Sequence, residues 1–487
     1  MGEREEAQGV DRLTMLTDDI LLSILGRVDH AAAARTSVLS KRWRNLPWLL
    51  PELNLHVRDF LPAPCPNPIE VQHMGRAMAS LTKSTSSLLG NRRSDRTITR
   101  LSLQLYMTGN RSRDIGLLVS DAIDGEMVKE LHFAIIDEKG ANDCENEDML
   151  RQALRVDRFF SAYPSVLCCL MRLHLVNARF ADSDLHHLLF DCGSQLQHLS
   201  IDNCDTGDCS VWRIDAPDSK LRILEVYFPC WQRLEVLCLP KLERLSWEGW
   251  FYFHAPLLFG SVPALKELYL LNLATPNQRG FSLAEVLHGT TNVNTLTLNF
   301  VGEKLWIQPE GKQLRDAFSK LRKLCIHGIY VQFDLFWTMN LLEAAPSVEI
   351  FDVEVYEHPC EDVTEGRIET FGDRVKPSWE MPRFTSSGKW QLKELLFVGF
   401  RPSLEQHTLF IRAVMDRAPN LKMVLIKDYK ESCECCEALV PRPSPAGGTF
   451  PRDKAEQETI VNQLRDKACW SSPQIIFSSG YLICGTY

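Results

Sequence analysis

The chain has 487 residues, of which 45% are apolar and 24% charged, and its formal net charge is −9. This composition is typical of a folded protein, and the length predicts several domains or an extended array of repeats. The acidic balance argues against a nucleic-acid partner, because no basic surplus is available to neutralise phosphates. A membrane partner is not expected either, because no run of about 18 apolar residues occurs. We therefore expect a cytoplasmic or nuclear location.

The N-terminal fifty residues predict a leader followed by a small helical domain. Residues 1–10 are polar and rich in glutamate, as in a disordered leader. Residues 11–50 predict three short helices, with Thr17 as the N-cap of the first and Asp18 in its first turn. Four apolar residues fall on one side of that helix: Ile20, Leu21, Ile24 and Leu25. A segment this short cannot build a stable core alone, so its apolar face implies a partner.

The sequence of residues 16–46, LTDDILLSILGRVDHAAAARTSVLSKRWRNL, resembles the F-box of plant F-box/leucine-rich-repeat (LRR) proteins. The blocks at 18–21 and 35–44 carry most of the resemblance. It implies that the segment binds a Skp-type adaptor and, through the adaptor, the cullin of a ubiquitin ligase. The resemblance assigns adaptor contacts to eight residues: Leu16, Ile20, Leu21, Ile24, Leu25, Val38, Leu39 and Trp43.

The chain departs from the family pattern at three places. Thr17 stands where a proline is usual, Arg27 begins a triplet that replaces Phe-Leu-Pro, and Pro47 follows Leu46 where Leu-Trp is frequent. Arg27 places a charge near an expected apolar contact, which would weaken adaptor binding. These departures keep a second hypothesis open, in which the protein is an LRR interaction scaffold that acts without a ubiquitin ligase.

A repeated signature dominates the middle of the chain, with apolar residues at the first, fourth and sixth positions. Between residues 170 and 348 successive signatures are separated by 26, 25, 21, 23, 28, 28 and 27 residues, which are LRR periods. We therefore predict an α/β fold in which an F-box precedes an irregular LRR solenoid, or horseshoe, over 96–356. The twelve signatures begin at Ile98, Val128, Leu170, Leu196, Leu221, Leu242, Leu265, Val293, Leu321, Val348, Leu392 and Leu421.

The alternation within each signature predicts which side chains are buried. In the segment LKELYL, Leu265, Leu268 and Leu270 should point into the solenoid, whereas Lys266, Glu267 and Tyr269 should lie on the concave sheet. The return segments at 282–289 and 333–346 have helical spacing, and the second should end before Pro346.

The remaining segments complete the predicted domain organisation. Residues 51–95 are expected to be a linker with a first helical segment, and 357–389 a loop insertion; a second, acidic loop is expected at 135–150. The end of the chain, 390–487, resembles the FBD-type module of many plant F-box/LRR proteins. It is expected to form a strand–helix–strand cap, and its predicted elements are strands at 392–400 and 421–426 with a helix at 404–417 between them, then a helix at 454–468 and a strand at 474–477.

No catalytic motif is present, so the protein is predicted to be a non-enzyme without a cofactor. Cys433, Cys435 and Cys436 have spacing that can bind zinc, but no second ligand pair follows, and no metal is predicted. An aromatic cluster in the middle repeats is the candidate surface for an unknown protein substrate, with packing inside an irregular repeat as the alternative. The candidate residues are Trp247, Trp250, Tyr252 and Tyr269.

Overall fold

The structure is a computed structural model. It describes residues 15–28, 33, 36, 40–43, 46–62, 64, 69–90, 97–180, 185–190, 195–207, 211–250, 255–274, 276, 278–356, 369, 372–374, 390–428, 450–465 and 472–478. The chain divides into two compact units, Met1–Cys204 and Asp205–Tyr487.

The first unit is built on a parallel sheet whose strands follow one another in chain order. Each strand pairs in parallel with the next, as stacked repeats require. The strands that the structure describes here are β1 (Glu52–His56), β2 (Ile98–Tyr106), β3 (Val128–Ile136), β4 (Leu170–Val176) and β5 (His198–Asp202).

In the described part of the first unit, one α-helix precedes β1 and the other α-helices lie between successive strands. In the part of this unit that is described the α-helices are α1 (Asp18–Leu25), α2 (Val71–Gly90), α3 (Gly109–Asp124), α4 (Asn146–Ala162), α5 (Pro164–Cys169) and α6 (Leu185–Phe190). The expected helical segment within 51–95 is therefore α2. The linker also contains β1, which was not predicted and which pairs with β2 through Leu53 and Leu55.

The second unit has a longer parallel sheet and a separate three-stranded one. The long sheet has the order β7-β9-β11-β12-β13-β14-β15-β16-β17, and the short sheet the order β10-β8-β6. The described strands are β6 (Val211–Asp215), β7 (Ile223–Tyr227), β8 (Arg233–Cys238), β9 (Arg244–Glu248), β10 (Leu257–Ser261), β11 (Glu267–Leu271), β12 (Thr295–Asn299), β13 (Lys323–Tyr330), β14 (Ile350–Tyr356), β15 (Glu394–Val398), β16 (Met423–Lys427) and β17 (Gln474–Ser478).

The helices described in the second unit are α7 (Leu283–Val286), α8 (Thr338–Ala344), α9 (Glu405–Arg417) and α10 (Lys454–Arg465). Helices α7 and α8 lie in the two predicted return segments, and α8 ends before Pro346 as expected. The predicted strand–helix–strand arrangement is confirmed as β15, α9 and β16. Within the described ranges, no helix of either unit is both long and apolar enough to span a bilayer.

Each of the twelve signatures contains a strand, and its apolar positions line the core. Leu265, Leu268 and Leu270 are buried, while Glu267 and Tyr269 on the other face of β11 are partly exposed. The α/β fold predicted from the sequence, an N-terminal helical segment followed by stacked repeats, is therefore confirmed.

The predicted acidic loop at 135–150 is wrong at both of its ends. Strand β3 continues to Ile136, and helix α4 begins at Asn146. Three of the segment's acidic residues, Glu145, Glu147 and Asp148, lie at the start of the helix, where Glu145 and Asp148 form a reciprocal capping box. Carboxylates at this end also interact favourably with the helix dipole.

Most of the predicted insertion at 357–389 lies outside the described residues. One described residue within it, Arg374, is buried against the second unit. Its guanidinium lies 3.4 Å from the carboxylate of Glu303 and 4.2 Å from the ring centre of Tyr330. At least this part of the insertion therefore packs on the repeats.

Candidate functional site

Helix α1 carries an apolar stripe that faces solvent. Ile20 and Ile24 have 47% and 40% of their surface exposed, whereas Leu21 and Leu25 on the adjacent side are buried. Residues four apart are neighbours on a helix, so the two isoleucines form one patch. Exposed apolar side chains also precede and follow the helix, namely Met15 and Val28. A contiguous apolar patch of this kind is typical of a surface that binds another protein.

Arg42 fixes the position of helix α1. Its guanidinium donates hydrogen bonds to Asp18 Oδ1 (2.8 Å from Nε) and to the carbonyl oxygen of Leu16 (2.5 Å). The next residue, Trp43, is buried, and its carbonyl accepts the N–H of Leu46 at 3.3 Å. Arg42 therefore links the segment at 40–43 to the N-terminal end of the helix. This role of Arg42 was not predicted from the sequence, although Arg42 lies within the segment 35–44 that resembles the F-box.

The eight residues assigned to adaptor binding differ in what they present to solvent. Only Ile20 and Ile24 are well exposed, so they are the members of the set that a partner reaches directly. The others are buried (Leu21, Leu25, Trp43), half-buried (Leu16) or outside the described residues (Val38, Leu39). Their contacts with an adaptor remain a prediction.

The three departures from the family pattern have no common structural effect. Thr17 occupies the N-cap position as expected, but its side chain makes no capping hydrogen bond. Arg27 is exposed in the turn that follows α1. Pro47 is buried in a 3₁₀ helix, Leu46–Leu49. Of the three, only Arg27 adds a charge to the exposed surface near the stripe.

The sheet of the first unit presents a row of basic side chains on its solvent face. His132, Arg172 and His198 occupy matching register positions on β3, β4 and β5. Two residues further along strands β4 and β5, His174 Nδ1 lies 2.9 Å from Ser200 Oγ. Burial and the charge of Arg172 lower the pKa of His132 to about 4, so that this histidine is neutral at pH 7. The row therefore carries the fixed positive charge of Arg172, flanked by histidine side chains.

The sheet of the second unit presents a more mixed face. Tyr269 lies half-buried on β11, and Asn299 Nδ2 donates a hydrogen bond to its hydroxyl at 3.4 Å. Arg244 and Glu267 form an ion pair of 2.7 Å beside it. Together with Thr297 these side chains line a shallow groove across β9, β11 and β12. Of the three candidate aromatic residues that the structure describes, Tyr269 is the one on the solvent face of a sheet.

The expectation that Trp247 and Trp250 form an exposed surface is wrong. Both indoles are buried. Trp247 fills the sixth, inward position of the signature that begins at Leu242, and its ring centre lies 6.1 Å from that of Trp231. Trp250 packs edge-on against Trp306 at 4.9 Å. These two tryptophans fill the core of irregular repeats, which was the alternative prediction. Tyr252 lies outside the described residues.

Three possible metal ligands lie close together on the long sheet of the second unit. None of them was predicted from the sequence to be a ligand. The ligand atoms of Cys325, His327 and Asp352 all lie within 4.8 Å of one another. No local sequence motif indicates these three ligands, because Asp352 comes from the next repeat along the chain. The cysteines weighed earlier as zinc ligands, Cys433, Cys435 and Cys436, lie outside the described residues.

Two family models match the chain. One is described as "At1g61320/AtMIF1, LRR domain" and matches residues 158–441. The other is the F-box domain, which matches residues 13–47. The two matches cover the repeats from β4 to β16 and the helical segment that presents Ile20 and Ile24.

Several proteins of Arabidopsis thaliana are similar to this chain. The F-box/FBD/LRR-repeat protein At5g56420 is 26% identical over 265 residues, which cover 50% of this chain and 57% of that protein. The F-box/FBD/LRR-repeat protein At3g52680 is 27% identical over 214 residues, covering 43% and 44%. The F-box protein At1g60400 is 49% identical over 53 residues, covering 11% and 13%. The chain therefore spans about half the length of the two repeat-containing relatives.

Proposed function

Since the chain belongs to the leucine-rich-repeat family described as At1g61320/AtMIF1, LRR domain, and carries an F-box before those repeats, we propose that it is the substrate-recognition subunit of an SCF-type cullin ubiquitin ligase. The F-box binds a Skp-type adaptor, and the repeat sheets bind a protein target. The subunit is not itself an enzyme, because ligation follows from holding a target lysine near ubiquitin carried by another subunit. It acts in the cytoplasm or the nucleus.

The observation that carries the proposal is the exposed pair Ile20 and Ile24 on a helix whose N-terminal end Arg42 contacts. Burying the exposed parts of the two side chains against an apolar partner would contribute on the order of 1–3 kcal/mol. An exposed apolar helix face is what an adaptor-docking element requires.

The test is an affinity measurement between the full chain and a Skp-type adaptor. Replacing both isoleucines by aspartate (Ile20→Asp with Ile24→Asp) places two charges in the proposed interface, and we expect at least about 100-fold weaker binding. Leu21 is a poorer choice for such a test, because it is buried and its replacement would unfold α1.

A matched control introduces the same chemical change elsewhere. Leu117 on helix α3 is 55% exposed, so Leu117→Asp converts an equally accessible aliphatic side chain outside the F-box. It should bind the adaptor like the wild type. If the wild type does not bind, or if the double variant binds as well as Leu117→Asp, the proposal fails and the scaffold hypothesis replaces it.

A further inference from the structure

A cluster of three ligand-type side chains lies on the solvent face of the second unit's long sheet. Cys325 and His327 alternate on β13, so both project from the same face. Asp352 stands on β14 directly opposite Cys325 in the register. The thiol is buried, and the other two side chains are mostly buried. Two hydrogen-bonded strands therefore hold thiol, imidazole and carboxylate in one small space.

The polar atoms of this cluster are incompletely satisfied. His327 Nε2 and Asp352 Oδ1 are both shielded from solvent, and neither has a hydrogen-bond partner. They lie 3.4 Å apart, which is long for a charged hydrogen bond. Two ligands at the usual zinc distances of about 2.0–2.1 Å are separated by roughly 3.3–3.4 Å along the edge of a tetrahedron. The observed separation matches that edge.

The backbone beside the cluster fixes the orientation of His327. Strand β13 has an irregular register between Ile326 and Ile329, and Gly328 there has a φ of +64°. A Cβ atom at Gly328 would lie 2.3 Å from the backbone nitrogen of Val301, so only glycine fits. The bulge thus sets where His327 projects, as bulges near functional sites often do.

We propose that Cys325 Sγ, His327 Nε2 and Asp352 Oδ1 form a zinc site with a fourth position open to water or to a donor group of a bound protein. One thiolate, one imidazole and one carboxylate are ligands that zinc accepts in tetrahedral sites, and three protein ligands leave one position free. The site goes beyond the proposed ligase role and does not depend on adaptor binding. It would add a metal ion to the face of the sheet that meets the target.

The competing arrangement is an ion pair without a metal. Burial lowers the pKa of His327, but the Asp352 carboxylate and the Cys325 thiol beside it raise the pKa by more, so that it lies well above its usual range. In that arrangement a proton occupies Nε2 and no metal binds. The two arrangements differ in whether the Cys325 thiolate binds a metal ion.

The test uses cobalt(II) as a spectroscopic probe and zinc as the competing ion. The full-length protein should first carry serine at Cys433, Cys435 and Cys436, so that these thiols cannot account for binding. We expect this protein to bind one equivalent of cobalt with a thiolate-to-cobalt charge-transfer band, which zinc abolishes. Cys325→Ser should remove the band, and Asp352→Asn should weaken cobalt binding at least about tenfold.

Cys238→Ser is the matched control, because Cys238 is a half-buried thiol on the separate three-stranded sheet. It should keep the band and the affinity. Circular dichroism establishes that each variant is folded before binding is compared. A folded protein that binds no cobalt or zinc, or a charge-transfer band that survives Cys325→Ser, overturns the proposal.

Discussion

His407 is fully buried within helix α9, where protonation would be costly. The N–H of Arg401 donates to its Nδ1 at 3.1 Å, and the ring of Phe397 lies 5.1 Å away. Burial lowers the pKa of His407 to about 4. In the unfolded chain the pKa is about 6.5, so between these two values the unfolded state binds one proton more than the folded state. Stability therefore falls as the pH drops from about 6.5 towards 4.

The size of this effect can be measured by urea unfolding at pH 7.5 and pH 5. The contribution of His407 is about 1.4 kcal/mol per pH unit in this window, or about 2 kcal/mol at pH 5. The wild type should lose about this much more stability than His407→Gln, which cannot be protonated. His288→Gln, at an exposed histidine, should behave as the wild type. Equal pH dependence in His407→Gln and the wild type would show that His407 is not the titrating group.

At the scale of single residues, the sequence predicts the inward side chains well and the exposed ones less well. The signature places Trp247 in the core by its sixth position, so its burial was available from the pattern. By contrast, periodicity groups Ile20 and Ile24 with Leu21 and Leu25 as one apolar face. Only tertiary packing separates the exposed pair from the buried pair, and a single sequence does not contain that information.

At the scale of elements, the turns that follow successive strands of the first unit are joined by asparagine side chains. Asn177, after β4, donates through Nδ2 to Asp137 Oδ2 (3.0 Å) and to the carbonyl of Lys139 (2.9 Å). Its own Oδ1 accepts a hydrogen bond from Asn203 Nδ2, after β5, at 2.7 Å. Asn177 is fully buried and has a φ of +54°, a conformation that asparagine tolerates.

Replacing Asn177 should destabilise the whole first unit. Asn177→Ala removes these hydrogen bonds and puts alanine, which tolerates positive φ less well than asparagine, at this position, and we expect a loss of roughly 2–4 kcal/mol in the free energy of unfolding. Asn177→Gly relieves the backbone strain alone and should recover about 1 kcal/mol of that loss. Asn110→Ala, at an exposed position of α3, should change stability by less than about 0.5 kcal/mol. Similar small losses for all three variants in chemical denaturation would contradict a structural role for the asparagine.

Besides β1, the strands β6, β8 and β10 were not predicted from the sequence. They lie in return segments, which were predicted from the sequence to be helical or irregular. The spacing contains a signal for them, because the steps from Leu196 through Leu221 and Leu242 to Leu265 are only 25, 21 and 23 residues. The later steps of 28, 28 and 27 residues leave room for α7 and α8. A short period favours an extended return over a helix.

At the scale of the whole molecule, the proposed function uses surfaces on different elements. The adaptor surface is the exposed face of α1, whereas the target surface is sought on the sheet faces, where Tyr269 is accessible. Residues with no shared partners usually make independent contributions. Docking and target capture should therefore be separable by mutation, which a protein with one combined site would not allow.

If adaptor docking and target capture are separable, a variant that cannot bind the adaptor should still bind its target without delivering it to the ligase. In cells, the Ile20→Asp and Ile24→Asp double variant should still bind the target through the repeats but no longer bring it to the ligase. Proximity labelling should therefore recover the target in larger amounts from the double variant than from the wild type, and proteasome inhibition should abolish the difference. Adding Tyr269→Ala to the double variant should reduce the recovered target severalfold if the groove around Tyr269 contributes to binding. If the double variant recovers the same proteins at the same levels as the wild type without proteasome inhibition, the repeats do not present a target for degradation.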